Sequence, residues 1–566
     1  MKLRPRLPRA LRRTIRSTPD PAGGSDPSPL PDWSRWIEQE HALWTAAQTR
    51  AAGGPTILLA TSVGGFASAT IIEGLLGVCL TLRGARVRFL LCDKQLPACQ
   101  QTYFLPPDPA VLVRRELKQV LCDSCYATGS HAYSSHGLPV MRYGECLSRR
   151  ERLELRRLAG AVPFGEIPSY LWRDLPVGEH ALAGALRFFA RGHLPEADGG
   201  ETTLRRFFEA ALLSGAAIRN VLARERIDRA CLHHGVYVPQ GLIAEACRRA
   251  AVPIMTWNVA YRRGCFLFSH DDTYHHTMLT EPLEAWEGMV WGPAQEREIM
   301  DYLDSRLTGT RDWIWFHEKP IEDVRLIAAD LGLDLDRPTI GLLTNVFWDA
   351  QLHYRANAFE DMLDWVLQTI GYFARRPEIQ LLIRIHPAEI RGTIPSRQPL
   401  LPEIRRAFPE LPTNVFVIPP ESNSSTYAAM DACDSVLIYG TKTGVELSTR
   451  GIPVVVAGEA WVRGKGVTLD ASSPDEYFEI LDRLPLGRRL KEETVRRARI
   501  YAYHFFFRRM IPLPFVRQEE GKPPPFSVEI AGLRDLLPGR HEGLDVICDG
   551  ILNGSPFVYP AERHAA

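Results

Sequence analysis

Short apolar runs alternate with amphipathic stretches along most of this chain. Thr56 to Ala60 reads as a buried strand and Thr61-Ser62-Val63-Gly64-Gly65 as a turn. From Ser68 onward, Ile72, Leu75, Leu76, Cys79 and Leu80 recur at helical spacing. Arg83-Gly84 closes that helix, and Arg86 to Cys92 predicts the next strand. Strand, helix, strand in this order needs a crossover, and a crossover needs a parallel sheet. A second such unit runs from the strand Asp228 to His233, through a helix Pro239 to Ala250, to the strand Val252 to Trp257. Between the two units, Glu151 to about Ala190 and Leu204 to Arg224 read as helices, and Leu283 to Asp336 as helical connecting material. A third run starts after Pro338: strand Thr339 to Thr344, helix Phe359 to Phe373, then strands Gln380 to Ile385, Val415 to Ile418, Ser435 to Ile438 and Pro453 to Val456, where the sheet is expected to finish.

The pattern predicts an α/β protein with two Rossmann-like parallel-sheet domains facing a cleft. The expected division is a disordered basic arm over 1–31, an N-terminal domain over 32–300, connecting helices over 301–337, a C-terminal domain over 338–490, and a crossing helix with a tail over 491–566. A length of 566 residues supports two or three domains. The 67 basic and 67 acidic side chains cancel, which removes the overall electrostatic argument for a nucleic-acid partner. No apolar run approaches the ~20 residues of a membrane helix. The start, MKLRPRLPRALRRTIRST, is basic but lacks the apolar segment of a secretory signal. It reads as an unstructured arm, since Pro5 and Pro8 interrupt any helix. A basic arm also suits peripheral contact with an anionic membrane face. A cytoplasmic protein, peripheral at most to the inner face of the plasma membrane, is the expectation.

Eleven cysteines without a signal peptide point to a reducing compartment. Cys92, Cys99, Cys122 and Cys125 follow a C-x6-C-x22-C-x2-C pattern. The closing C-x2-C has the spacing of a zinc knuckle, so these four are candidates for a structural zinc site, with an iron–sulfur cluster as the lesser option. The competing expectation is four separate buried thiols.

Chemistry concentrates at strand ends. In a parallel sheet the loops leaving the carboxyl ends converge on one crevice. Those loops carry Asn345, then His386-Pro387-Ala388-Glu389, then Ser424, Ser425 and Thr426, then Thr441, Lys442, Thr443 and Gly444 with Glu446 one turn on. Hydroxyls, a lysine and free N–H groups at helix starts suit phosphate. Simple N-capping explains either Ser/Thr cluster taken alone. Glu446 could bind a ribose or sugar hydroxyl, or be a solvated helix carboxylate. Lys465, between Gly464 and Gly466, is a candidate counter-charge. In the first half, Gly64, Gly65, His233 and His234 are acceptor-side candidates, and Tyr261 to His276 reads as a polar and aromatic surface loop over the crevice.

These motifs carry a resemblance. Ile385-His386-Pro387, Ser424-Ser425-Thr426, Tyr439-Gly440-Thr441-Lys442-Thr443-Gly444-Val445-Glu446, Gly451-Ile452-Pro453-Val454 and Gly464-Lys465-Gly466 look like the capsule polysaccharide biosynthesis family of GT-B glycosyltransferases, which includes bacterial Kdo transferases. The likeness is more distant to GT-B sialyltransferases and to polyglycerol-phosphate polymerases. It covers about Pro338 to Asp470; the N-terminal half matches in architecture alone. The resemblance implies transfer of a sugar from a nucleotide-activated donor, CMP-linked donors included, to a surface polysaccharide or lipid-linked glycan. It implies that His386, Ser424, Ser425 and Thr443 hold the donor phosphate, that His386 and Lys465 stabilise the leaving group, and that no metal cofactor is required for transfer. The N-terminal half would then choose the acceptor and supply the base. Two other readings share the frame: a nucleotide-sugar epimerase, and a non-catalytic binding or scaffold protein of glycan assembly.

Overall fold

The computed structural model describes residues 30–105, 108–113, 115–195, 199–308, 311–312, 320–349, 356–518 and 526–564. Most of the expected basic arm and of the Pro-rich stretch near 521–526 therefore lies outside the described residues. The strands of the first half are β1 (Thr56–Ser62), β2 (Arg86–Leu91), β3 (Val140–Arg142), β4 (Arg229–His233), β5 (Ile254–Val259) and β6 (Cys265–His270). Those of the second half are β7 (Thr339–Leu343), β8 (Gln380–Arg384), β9 (Val415–Ile418), β10 (Ser435–Ile438), β11 (Val454–Val456) and β12 (Leu469–Asp470). Three more close the chain: β13 (Ile511–Pro512), β14 (Val516–Gln518) and β15 (Phe526–Val528).

Among the described residues the first sheet has the order β13-β6-β5-β4-β1-β2-β3 and the second the order β12-β11-β10-β7-β8-β9. Strand pairing is parallel throughout the second sheet and from β3 to β5 in the first. Each sheet starts in its middle, grows to one side, then restarts beside its first strand and grows to the other. That is the doubly wound, Rossmann-type order, with switch points at β1/β4 and β7/β10. Helices cover both faces, so β1, β7, β8 and β10 are buried along their whole length and read as continuous apolar runs. Two such domains facing one another make the fold GT-B-like.

Three expectations are corrected. Tyr261 to His276 is not one surface loop: Cys265–His270 is a strand antiparallel to β5, because Cys265, Phe266, Leu267 and Phe268 are all buried and need a sheet to satisfy their backbone. The second sheet does not finish at β11, since Val455 pairs with Leu469. The tail is not a separate appendage. The helix Glu492–Tyr503 runs into a π-helical turn, His504–Arg508, and the chain then adds β13 to the first sheet, antiparallel to β6. The helix Glu542–Asn553 buries Leu544, Ile547, Cys548 and Ile551 in the core that also holds Leu75, Leu76 and Val78. No described helix is long and apolar enough to cross a membrane.

The helix Ala67–Leu82 is buried on nearly every side and carries Glu73 into the core of the first domain. Thr61 donates to Glu73 Oε1 from its N–H at 3.1 Å and also from its hydroxyl, and Tyr133 donates to Oε2 at 3.2 Å. Burial outweighs these donors and pushes the carboxyl up from 4.5 to about 7. Between those two values the folded protein keeps a proton that the unfolded chain has released. Stability therefore falls as pH rises through that window, by at most about 1.4 kcal/mol per pH unit. In urea unfolding at pH 5 and pH 8, Glu73→Gln should lose less stability than the wild type and should be the more stable protein at pH 8. Parallel losses in the two proteins would show that the carboxyl ionises normally.

Candidate functional site

β7 and β10 pair Leu343 with Ile438, so their next residues emerge side by side at the switch point. A Cβ added to Gly440 would sit 3.6 Å from Asn345 Nδ2 and 3.8 Å from the Glu459 carbonyl oxygen. Asn345 thus lies against the tip of β10, and its Oδ1 is buried without a hydrogen-bond partner. A buried acceptor left unmade costs free energy, which makes this atom a candidate contact for a bound group.

β8 lies beside β7 and delivers His386. The His386 N–H donates to Thr344 Oγ1 at 3.0 Å, and its Nδ1 accepts from the Ala388 N–H at 3.0 Å. An acceptor Nδ1 puts the proton of the neutral ring on Nε2, so the ring is set as a donor there. The residue-to-residue order of the tips across the sheet is then Gly440, Asn345, His386.

Glu459 follows β11 and is 3% exposed. Its Oε1 accepts from the Ala356 N–H at 2.7 Å, and its Oε2 lies 3.2 Å from His275 Nε2 and 3.6 Å from His276 Nε2. Both histidines belong to the helix Tyr274–Thr280 of the first half. Trp461 Nε1 donates to His275 Nδ1 at 3.0 Å, which leaves Nε2 to donate to Glu459. Burial lowers the pKa of His275, while its hydrogen bond lowers that of Glu459 against the opposing effect of burial. His276 Nδ1 lies 3.1 Å from Asp272 Oδ1, so this ring stands between two carboxylates. At the opposite flank Arg187, from the helix Val177–Phe189, meets Asp349 just past β7, and Tyr237 donates to the same carboxylate. The two halves therefore touch through polar groups on either side of the strand tips.

Several candidates have other work. Lys465 is 1% exposed, and its Nζ donates to the carbonyls of Leu279 and Glu281 at 3.2 and 3.0 Å. It ties down the end of the helix that carries His275 and His276, so it corrects the expectation of a counter-charge in the crevice. Lys442 and Glu446 form an ion pair at 2.9 Å; Arg306 Nε lies 3.3 Å from Glu446, and Tyr427 donates to it. Glu446 is 2% exposed, so it neither faces solvent nor presents itself to a ribose. The Ser425 N–H is taken by the Ile321 carbonyl at 2.9 Å, and Ser425 Oγ accepts from the Ala428 N–H at 3.3 Å. Ser424 Oγ accepts from Ser422 at 3.0 Å, and Thr426 accepts from buried Arg384 at 3.3 Å. That cluster is a closed cap. Thr441 Oγ1 accepts from the Thr443 N–H at 3.3 Å and lies 3.1 Å from Thr443 Oγ1. Gly444 packs closely on β10: a Cβ there would fall 2.4 Å from Ile438 Cδ1.

In the first half, Gly64 and Gly65 also answer to packing rather than to a ligand. A Cβ on Gly64 would fall 2.5 Å from the Cys125 carbonyl oxygen and 2.6 Å from Gly129 Cα, on the helix Arg115–Ser134. His233 Nε2 lies 3.2 Å from Asn258 Oδ1, and the ring packs edge-on against Phe66 and Trp257. Burial pushes its pKa down to about 3, so it is neutral. His234 has φ 61° and packs against Tyr237 and Tyr274. Cys92, Cys99, Cys122 and Cys125 line one cavity. Among the described residues no three His, Cys, Asp or Glu side chains are arranged to hold a metal ion. Sequence reasoning missed Glu459, Arg187 and Asp349. Glu459 follows a strand as His386 does, and that signal was available.

No family model and no curated protein matches the chain. Solved structures do. The beta Kdo 2,4 transferase KpsC of Thermosulfurimonas dismutans matches at 12% identity over 55% of this chain and 87% of that one, with a TM-score of 0.33. UDP-GlcNAc 2-epimerase from Neisseria meningitidis, bound to UDP-GlcNAc, matches at 10% identity over 80% and 97%, with a TM-score of 0.25. MurG of Acinetobacter baumannii matches at 10% identity over 80% and 94%, with a TM-score of 0.24.

Removing a partner from a buried ion pair costs about 3–5 kcal/mol, because the other charge is stranded. Glu446→Gln leaves Arg306 and Lys442 facing each other, so its urea unfolding free energy should fall by about that amount. Unchanged stability together with weakened nucleotide binding would instead return Glu446 to the ribose.

Proposed function

We propose that this chain is a glycosyltransferase that moves a sugar from a nucleotide-activated donor to a polysaccharide or glycolipid acceptor, in the crevice between its two Rossmann-type domains. The observation that carries this reading is the group at the β7/β10 switch: the unpartnered Asn345 Oδ1 lies beside Gly440, and His386, oriented as an Nε2 donor, leaves the next strand. Asn345 would accept from a hydroxyl of the donor. His386 Nε2–H would meet the negative charge that develops on the departing phosphate, a donor fixed in place before reaction. The main-chain loop at Gly440 permits close approach of the nucleotide. Glu459 and the His275–His276 helix span the two halves, so their contact would close the crevice and keep water from the donor. The motif resemblance at Ile385-His386-Pro387 and Tyr439 to Glu446 supports the same class.

His386→Ala should fold normally and lose about 10²-fold or more in transfer rate, the usual cost of removing acid or electrostatic help. A rate within about threefold of wild type would remove His386 from the leaving-group role. Asn345→Leu should weaken donor binding with little change in melting temperature, measured by the loss of nucleotide-sugar stabilisation in a thermal-shift assay. Incubation with donor alone separates the rival enzyme: an isomerised nucleotide sugar in the products would establish epimerisation instead.

A further inference from the structure

A cavity in the first half, which the transfer reaction does not use, lies between two helices and a tight turn. Its volume is about 180 Å³, room for about six waters at ~30 Å³ each or for one sugar ring. Leu155 and Leu158 of the helix Arg149–Ala161 give it an apolar wall, which Trp172 and Ala216 complete. Arg219 and Asn220, on the helix Gly200–Arg224, and Arg173, in the turn, bring polar groups to it. An apolar wall with a few convergent polar groups is the ordinary make-up of a small-molecule site.

Two observations separate it from an incidental dent in the surface. The first is the state of its ionic groups: the carboxylates are engaged and the guanidiniums are not. Glu151 accepts from Asn220 Nδ2 and from the Ser148 N–H, both at 2.9 Å, and Arg224 adds its charge. Glu154 is paired with Arg150 at 2.7 Å. Arg173 and Arg219 meet neither a carboxylate nor a carbonyl among the described residues; Arg173 lies over the Trp172 ring at 4.8 Å. A planar guanidinium matches a carboxylate through two parallel hydrogen bonds, and here two guanidiniums flank one hollow. The second observation is the turn that carries Arg173. Trp172 and Leu175 exchange both backbone hydrogen bonds, at 2.9 and 3.0 Å, across two residues. Both of those residues, Arg173 and Asp174, are left-handed, with φ 48° and 66°. Asn-Gly is at ease in such a turn, whereas an arginine is strained there. The turn sets the Trp172 indole beside Gly215 and leaves Arg173 exposed.

The cavity is set apart from the strand tips. The turn precedes the helix Val177–Phe189, and Arg187, near the far end of that helix, meets Asp349 at the crevice. From Leu175 to Arg187 the separation is about 18 Å at ~1.5 Å per residue. We propose that this cavity is a second, non-catalytic glycan site that binds one carboxylate-bearing sugar unit. Arg173 and Arg219 take the acid group, Leu155, Leu158 and Trp172 take the C–H groups of the ring, and Asn220 Oδ1 and Glu154 accept from its hydroxyls. A neutral sugar lacks the group that two uncommitted guanidiniums require, so the site selects acidic glycans. Binding needs residues of the first half alone. Its purpose rests on the transferase reading: a unit held here belongs to a long acceptor whose growing end reaches the crevice, and the second point of attachment adds to the affinity of the first.

The test uses the full chain and ligand-detected saturation-transfer NMR, with methyl glucuronide, methyl glucoside and inorganic phosphate as probes. Methyl glucuronide should receive saturation from the protein and methyl glucoside should not. Arg173→Ala and Arg219→Ala, both at exposed positions, should keep the wild-type melting temperature. Each should weaken glucuronide binding about tenfold or more, the usual cost of a lost hydrogen bond to a charged group. Phosphate at equal concentration should leave the glucuronide signal in place, because it has no ring to rest on the apolar wall. No glucuronide signal in the wild type, or an unchanged signal in the Arg173→Ala/Arg219→Ala double variant, would overturn the site. Displacement of glucuronide by an equal concentration of phosphate would overturn its assignment to a sugar. Failure of the transferase reading has a different signature: no product forms from any donor, while wild type and His386→Ala bind glucuronide equally well.

Discussion

The site rests on a backbone constraint. Where a doubly wound sheet restarts, two neighbouring strands send their connections to opposite faces, and nothing crosses the gap between them. At β7 and β10 this brings Thr344, Asn345, Tyr439 and Gly440 out together at the carboxyl ends of two central strands. Asn345 and Gly440 come together because Leu343 and Ile438 are in register, not because either attracts the other. The same geometry recurs at β1 and β4, where Thr61 bonds both to Glu73 and to the His233 N–H. There the gap is filled from within by the protein's own carboxyl group. At β7/β10 the acceptor is left unmet. One switch point is therefore filled by the protein's own groups, and at the other the Asn345 Oδ1 has no hydrogen-bond partner.

Buried charge explains why so few of the ionic groups near the crevice are available to it. A lone buried ion is expensive, so each must find partners nearby. Glu446 is held by Lys442 and Arg306, and Arg306 in turn by Asp312. Glu281 is held by His504 at 2.8 Å and by Arg509, and its pKa is drawn down to about 2 by those partners. These clusters join the second sheet, the connecting helices and the π-helical turn into one frame. Charges so committed cannot also neutralise a substrate phosphate without stranding a partner. A neutral polar group such as Asn345 carries no such debt.

The strands were legible because parallel strands buried on both faces must be apolar throughout, and β1, β7, β8 and β10 are. Their order followed from the crossover rule. β6 was hidden because the polar and aromatic residues around it looked like a loop, although Cys265 to Phe268 are apolar without interruption. The roles of Ser425 and Lys465 were hidden for a different reason. Ser425 is occupied by Ile321, and Lys465 by Leu279 and Glu281, contacts made across about a hundred residues or more that no local spacing can reveal. A Ser/Thr cluster before a helix is equally a cap and an anion site until the partner of its N–H is known. The cysteine spacing was legible as a group; its arrangement around a hollow required the fold.

The halves meet through apolar and polar contacts together. Ala260, Cys265, Leu267 and Met278 of the first half share a close-packed core with Leu343, Val436, Val454 and Val462 of the second, and Tyr261 and Tyr274 pack on Trp461. Directional polar contacts flank that core: Arg187 with Asp349, the Gly192 N–H with Gln398 at 3.1 Å, and Glu459 with His275 and His276. Polar contacts at a surface exchange for water at small net cost, whereas apolar ones do not. A motion that separates the halves would therefore have to open part of that shared apolar core as well as break the polar bonds. The chain passes from the helix Glu492–Tyr503 to β13 through the π-helical turn His504–Arg508, a wider and less regular coil than the helix it follows. His504 is wholly buried and bonded to Glu281, whose backbone carbonyl is in turn bonded by Lys465. Lys465 and Glu281 thus join the π-helical turn to the end of the helix that carries His275 and His276, the two rings that meet Glu459.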